Sequence, residues 1–413
     1  MATLLDPQRV AQLMLSWLNL DLVSCTELQT LWAGYGHICA IEARPTTPPD
    51  TIQAGTSASS PLRLVLKLIC PPSVRPGDEG HLRKMLSYEV EQYLYDELAP
   101  HLRNDVAVAR CLASTRSSRD RAVADGIQDL TATLLTDLRP QFPVAGHKRC
   151  FLTPRQVKAA LEWLSRFHSS SWGWLPRDLD QFVLPPLEEA RRRQLGRRAQ
   201  GKGLWLNGGY TYLATRRKEY AALAADDESE WSVAFCRPAP GLLSSVAELA
   251  ADFLTPSGRP FETCIHGDVK SENLFSTDSG DRVAFFDFQY AGVGLGVCDL
   301  AKLLTCSVPL DMLTDVHVIP AELPMGQGEK VLLDQYRALL LDPQPGKTTP
   351  DYGWDEFSRH WETALVDWCR FQASWGFWGN TDWLQARVRC ILRDQGWRDW
   401  LERQAKGTAD GAA

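Results

Sequence analysis

The sequence contains no C-x-x-C pair; its eleven cysteines are scattered singly between Cys25 and Cys390, with no histidine at finger spacing. That scatter argues against a disulfide scaffold and against structural zinc, and predicts reduced, mostly buried thiols in a cytoplasmic protein. Long apolar runs are also missing: one of the longest, LRLVLKLIC, is broken by charge and falls far short of the roughly 18 residues that span a bilayer. The start, MATLLDPQRVAQ, has neither a basic n-region nor a small-residue cleavage site, so a soluble protein with no membrane partner is expected. Positive charge is not in excess either. A formal net charge of −7 gives no support for a nucleic-acid partner. No internal repeat is present.

What remains is a chain of 413 residues, 44% apolar and 23% charged, long enough for two or three domain-sized units. Asp6-Pro7 reads as an N-cap and first-turn proline, so residues 1–20 are expected to carry an amphipathic N-terminal helix over 6–20. Residues 21–137 then read as strands with one long helix inserted after the third. Two strands flank a loop holding Gly34 and Gly36, the polar tract 44–61 reads as a mobile insertion, and LRLVLKLIC is the third strand. A helix with Leu86, Val90, Tyr93, Leu94 and Leu98 near one face stops before Pro100, and DVAVARCLA and LTATLLTDL complete five strands. Residues 138–403 read as mostly helix, including a long segment around 186–225, with strands expected only in 264–290. Residues 404–413 read as a frayed, flexible tail. This is an α+β pattern of two lobes, with the boundary near Thr136-Asp137-Leu138.

The chemistry concentrates in CIHGDVKSENLFSTDSGDRVAFFDFQY, Cys264 to Tyr290. Asp268 stands two residues after His266 and five before Asn273, and Asp287 ends the apolar run RVAFF. Two carboxylates and an amide at the edges of apolar segments suit a hard divalent cation. Phosphoryl transfer asks for little more: phosphates and metal held in place, and a carboxylate near the acceptor hydroxyl. Asp268 is the candidate base, Asn273 and Asp287 the candidate Mg²⁺ ligands, and Lys270 a catalytic candidate within reach of the transferred phosphate. Lys67 lies within an apolar strand, where a buried ammonium needs a partner, and suits the inner phosphates. Glu89 and Glu91 lie about 200° apart on one helix, so only one of them can face Lys67.

HGDVKSEN resembles the H-x-D-x-x-x-x-N catalytic loop shared by protein kinases and the aminoglycoside phosphotransferase/choline kinase family, and FFDFQY resembles the site of their metal-binding Asp. The second group fits better. Gly267 follows the histidine where protein kinases usually have Arg, Gln289 stands at the last place of D-F-G, and no A-P-E motif follows. VCDLAKLL, with Asp299, resembles the helix start that closes this loop in small-molecule kinases. SYEVEQYLYDELAP, LLTDL and RFHSSSWG look most like the eukaryotic ecdysteroid-kinase-like or choline-kinase-like branch. The resemblance covers about residues 28–310 and is strong at 265–302.

It implies a two-lobe protein-kinase-like fold, and ATP- and Mg²⁺-dependent phosphorylation of a hydroxyl on a small organic molecule. In that pattern Lys67 pairs with Glu91, Gly34 and Gly36 lie in the loop over the phosphates, and Thr136 and Leu138 form the hinge that holds the nucleotide base. The loop GYGHIC departs from the full G-x-G-x-x-G. A nucleotide-binding pseudokinase scaffold and a protein kinase are the alternatives.

Three other features have plainer readings. GVGLG, Gly292 to Gly296, lacks the βαβ context of a dinucleotide site and is read as an activation-segment equivalent. His168 is read as a structural histidine at a helix end. Phe357, Trp361, Ala364, Trp368, Phe371, Trp375 and Trp378 recur at steps of four and three, which puts them on one helical face. They are expected to be core, with an aromatic acceptor wall edged by Arg370, Asn380 or Arg387 as the sharper alternative.

Overall fold

In a computed structural model the described residues are 6–46, 60–74, 77–173, 175, 178–196, 203–238, 243–342 and 350–410. They form two compact units. One holds the described residues up to His101 together with Val108–Gln141; the other holds Leu102–Ala107 and the described residues from Phe142 onward. Most of the tract 44–61 lies outside the described residues.

The first unit runs α1 (Pro7–Ser16), β1 (Leu20–Thr30), β2 (Gly36–Pro45), β3 (Leu62–Ile69), α2 (Glu79–Tyr93), β4 (Cys111–Ser114), α3 (Arg119–Ala124) and β5 (Thr131–Thr136). The strands make one antiparallel sheet in the order β1-β2-β3-β5-β4. Asp6 caps α1 by accepting the Gln8 N–H, and Asp78 caps α2 by accepting the His81 N–H at 2.6 Å. Side chains alternate along β3, so Leu64, Leu66 and Leu68 join Val10, Ala11, Met14 and Leu15 of α1 in one core. Lys67 points to the opposite face, toward α2. The N-terminal helix is therefore a layer of this unit. After Tyr93 the helix relaxes into a π turn, Leu94–Leu98, and a 3-10 turn, Ala99–His101, which takes in Pro100 where its missing N–H costs little. DVAVARCLA is a strand only from Cys111 onward.

The second unit contains β6 (Val144–Ala145), α4 (Pro154–Ser171), α5 (Pro186–Gln194), α6 (Arg217–Ala224), α7 (Glu230–Cys236), α8 (Val246–Leu254), β7 (Glu262–Ile265), β8 (Leu274–Ser276), β9 (Val283–Phe285) and β10 (Gly292–Leu295). It ends with α9 (Val297–Ser307), α10 (Gln327–Leu340), α11 (Trp354–Trp375), α12 (Thr381–Arg393) and α13 (Gln395–Asp410). Thr153 and Gln156 form a capping box that starts α4 at Pro154. The expected long helix around 186–225 is instead α5 and α6; the described residues 203–216 between them are irregular apart from a 3-10 turn, Leu213–Thr215, and carry Gly208-Gly209, whose conformational freedom disfavours helix. The segment GVGL is itself a strand, β10, paired with β7. The last helix reaches Asp410, across most of the stretch expected to fray.

The antiparallel sheet with its helices and the mainly helical second unit make the α+β, protein-kinase-like architecture. No helix among the described residues is long and apolar enough to cross a membrane. All eleven cysteines are free.

Candidate active site

In the first unit the central strand delivers Lys67. Its ammonium meets Glu91 Oε2 of α2 at 2.5 Å, both side chains are nearly buried, and the Tyr88 ring lies 5.6 Å from the nitrogen. Glu89 is on the exposed side of the same helix. Gln92, one residue beyond Glu91, donates to the Ala132 carbonyl at 3.0 Å and fixes α2 against the sheet. Lys67, Ile69, Tyr88, Glu91, Thr133 and Leu135 line a hollow on this face.

The β1–β2 turn folds as a 3-10 turn with Ala33 and Gly34 at positive φ. Gly36 has a packing reason to be glycine: its φ is +147°, and a Cβ there would stand 2.0 Å from the Leu68 carbonyl oxygen. At the end of β5, Thr136 donates its N–H to the Arg110 carbonyl and its hydroxyl oxygen accepts the Arg110 N–H, so the backbone donor is spent while the O–H is left to donate. Leu138 accepts the Gln141 N–H on its carbonyl.

In the second unit β7 ends at Ile265 and the chain turns through Gly267 at φ +85°. A side chain there would lie 2.3 Å from the Tyr290 carbonyl and 2.7 Å from the Gly209 nitrogen, so three segments meet at a point only glycine fits. Asp299 of α9 holds this turn. Its two oxygens accept the His266 N–H at 2.7 Å and the Gly267 N–H at 2.9 Å, and His168 Nε2 adds a third contact at 3.1 Å. Burial opposes its charge, yet the bond from His168 keeps the Asp299 carboxyl below its ordinary range. His168 in turn meets the Tyr336 hydroxyl at 2.7 Å, and so is structural, as the sequence suggested.

His266 works within the loop. The Asp268 N–H points at its Nδ1 at 3.3 Å, so Nε2 carries the proton and donates to the Phe286 carbonyl at 2.9 Å. Full burial pushes its pKa down, which fits this neutral form. One imidazole thereby ties the turn bearing Asp268 to the residue before Asp287.

Asn273 donates its amide to the Asp268 carbonyl at 2.9 Å and to Asp268 Oδ2 at 3.0 Å. Lys270 contacts the same oxygen at 3.1 Å and Glu272 at 3.3 Å. Burial works to lower the Lys270 pKa, but the carboxylates of Asp268, Glu272 and Asp287 hold it well above its usual value. Asp287 itself stands at φ +65° and accepts from Gln289 at 2.5 Å. A non-glycine residue in that region marks a position imposed by its surroundings.

The donor set suits magnesium. Because Asn273 spends its nitrogen on Asp268, its Oδ1 is left to accept, and Asp287 adds a carboxylate; oxygens from a phosphate and water would complete a hard-cation shell. Among the described residues no group of three or more His, Cys, Asp or Glu forms a ready metal cage. Two protein donors with ligand oxygens is the arrangement expected of a nucleotide-bound Mg²⁺.

Sequence reasoning missed Tyr210 and Lys302. Tyr210 lies 5.0 Å from the Tyr290 ring, and burial, then the nearby Asp268, raise its hydroxyl pKa well above normal. Lys302 stands in the VCDLAKLL segment, where the sequence singles out only Asp299.

The aromatic face of α11 is core over most of its length: Phe357, Trp361, Trp368 and Phe371 are buried, and Trp375 is exposed. The three polar residues proposed for its edge do other work. Arg387 binds Glu329 at 2.8 Å, Asn380 donates to the Leu304 and Val308 carbonyls, and Arg370 pairs with Asp367.

No curated protein matches the sequence significantly. Among solved structures, an aminoglycoside 2'-phosphotransferase in complex with GDP is 14% identical with a TM-score of 0.42, over 97% of this chain and 98% of that one. A macrolide 2'-phosphotransferase of Brachybacterium faecium is 15% identical with a TM-score of 0.39, over 95% and 96%. A choline kinase of Streptococcus pneumoniae is 11% identical with a TM-score of 0.40, over 95% and 99%. At that distance they carry no information on activity. Residues 49–321, well over half the chain and including Lys67 and the whole segment from Cys264 to Tyr290, match the family described as the phosphotransferase enzyme family (APH), and the chain belongs to it.

Proposed function

We propose that this phosphotransferase uses ATP and Mg²⁺ to phosphorylate a hydroxyl group of a small organic molecule. The observation that carries the reading is the Asp268–Asn273 hydrogen bond of 3.0 Å, which directs a base carboxylate and leaves the amide oxygen to a cation. In the step itself the acceptor oxygen forms a bond to the γ-phosphorus, the bond from that phosphorus to the β-bridging oxygen breaks, and ADP leaves. The hydroxyl proton passes to Asp268.

Lys67, directed by Glu91, would bind the inner phosphates, with Gly34 and Gly36 in the loop beside them and Thr136 and Leu138 at the base. Asn273 and Asp287 would hold Mg²⁺, whose charge offsets that developing on the transferred group. Lys270, protonated at every physiological pH, would neutralise charge on the γ-phosphate. The free thiols support a reducing, cytoplasmic setting.

The test is ADP release across a library of hydroxylated metabolites, with Asp268→Asn alongside. Turnover with at least one acceptor that falls by 10²-fold or more in the variant is expected. ATP binding without Asp268-dependent turnover would favour the scaffold reading. Transfer only to proteins would favour a protein kinase.

A further inference from the structure

A buried ammonium lies beside the loop of Gly267 with no carboxylate in contact with it; Asp299, three residues back on α9, acts on it through space but makes its own bonds to His266, Gly267 and His168. Lys302, on the second turn of α9, is 5% exposed. Its ammonium makes a long hydrogen bond, 3.4 Å, to the Cys298 carbonyl. Among the described residues no acidic oxygen comes within 4 Å of it, whereas the other buried cations of this unit have such partners: Arg370 with Asp367, Arg387 with Glu329, Arg216 with Glu219. An ammonium out of water and with no ion pair of its own is costly, and side chains so placed normally pair or bind something.

Its position is functional. Lys302 Nζ lies 3.5 Å from where a Gly209 Cβ would stand, and the Gly267 carbonyl is equally near that point. Gly267 immediately precedes Asp268. On its other side the ammonium faces the Trp368 ring at 5.8 Å, and Trp368 keeps its own buried N–H without an acceptor. Trp368 stacks on Phe371, and Tyr210 meets Phe371 edge-on at 5.7 Å. Beside the base there are thus one weakly bonded donor and one without an acceptor, set among buried flat apolar rings.

Resting on the reading of Asp268 as the base, we propose that Lys302 determines the acceptor class: the molecule phosphorylated carries an anionic group, a carboxylate in the simplest case, on a flat apolar body, and Lys302 pairs with that anion. Rings and charge together disfavour cationic acceptors, since an ammonium already occupies the cation-accepting face of Trp368.

The probes are 4-(hydroxymethyl)benzoate and its amide, titrated calorimetrically into the full chain with Mg²⁺ and a non-hydrolysable ATP analogue, and then assayed for ADP release with ATP. Tighter binding of the acid by about tenfold or more is expected, the value of one charge-assisted contact. In Lys302→Met the acid-to-amide ratio should fall toward one, and in Lys302→Arg it should be kept. A ratio of two affinities cancels a general loss of folded protein, which a merely structural lysine would produce. Equal binding of acid and amide by the wild type, binding of neither, or an unchanged ratio in Lys302→Met overturns the proposal. Turnover of neutral or cationic alcohols that needs Asp268, with no preference for the acid, would overturn it and leave the phosphotransferase reading intact. Lys302-dependent binding of the acid without Asp268-dependent ADP release would do the reverse.

Discussion

The carboxylate of Asp299 accepts the backbone N–H of Gly267 at 2.9 Å, and its other oxygen accepts that of His266. A side chain on α9 therefore sets the path of the loop that presents Asp268. Asp299→Asn puts an amide NH₂ where at least one of three donors needs an acceptor, in a fully buried site. The expected cost is about 3 kcal/mol or more of unfolding free energy, measured by urea denaturation. Activity at a temperature where the variant stays folded should also fall, because the loop loses its anchor. A change under 1 kcal/mol would show that Asp299 does not hold the loop.

Two glycines at positive φ separate geometry from space. Gly267→Ala meets both a left-handed backbone and the Tyr290 carbonyl, and should destabilise by at least about 2 kcal/mol while turnover falls. Gly34→Ala has the same backbone problem but nothing within 4 Å, so about 1 kcal/mol is expected. Melting temperatures of the two variants side by side check the order, and reversal would contradict the packing at Gly267.

The sequence made these loops legible to the extent that chemistry there depends on residue type. The structure puts Asp268, Asn273 and Asp287 beside short strands and Lys67 within β3, and acids and an amide at the ends of apolar runs, and a lysine inside an apolar strand, could be read directly. Lys302 could not, because DLAKLL has ordinary helical periodicity and only the packing of α9 against Gly209 and Trp368 shows its ammonium to be buried. The break in helix at 203–212 was hidden for a related reason. Alanine, leucine and arginine on either side have high helix propensity, while the tertiary contacts of Trp205 and Gly208 with β10 decide the conformation. The expectation that the aromatic face of α11 is core holds over most of its length, while the alternative role for Arg370, Asn380 and Arg387 could not be judged from sequence, because a polar residue near an aromatic stripe looks the same whether it faces a ligand or a buried partner.

Acid should destabilise the second unit in a defined window. His360 is buried against the Tyr352 hydroxyl at 2.5 Å, and burial, aided by Arg259, lowers its pKa to about 3. The unfolded chain, with an ordinary value near 6.5, binds the proton first, so stability is complete above that pH and declines as pH falls toward 3. By pH 5 the loss from this group is about 2 kcal/mol. Denaturation of wild type and His360→Gln at pH 7 and pH 5 should show a correspondingly smaller acid loss in the variant; equal losses would mean that His360 is not held neutral.

The Lys67–Glu91 pair yields a test that distinguishes its structural from its ligand-binding role. Lys67→Met strands a buried carboxylate and should cost about 3 kcal/mol, of which Lys67→Met with Glu91→Leu should restore a large part, because the second change removes the orphaned charge. Nucleotide protection behaves differently. Mg²⁺-ATP at about 100 times its dissociation constant should stabilise the wild type by about 2.7 kcal/mol, and chelation by EDTA should remove most of that gain if Asn273 and Asp287 act through a metal. The double variant should be folded and yet gain little from Mg²⁺-ATP, because the phosphates have lost their cation. Thermal shifts recorded with and without nucleotide and EDTA give both readings, and full protection of the double variant would remove Lys67 from the nucleotide site.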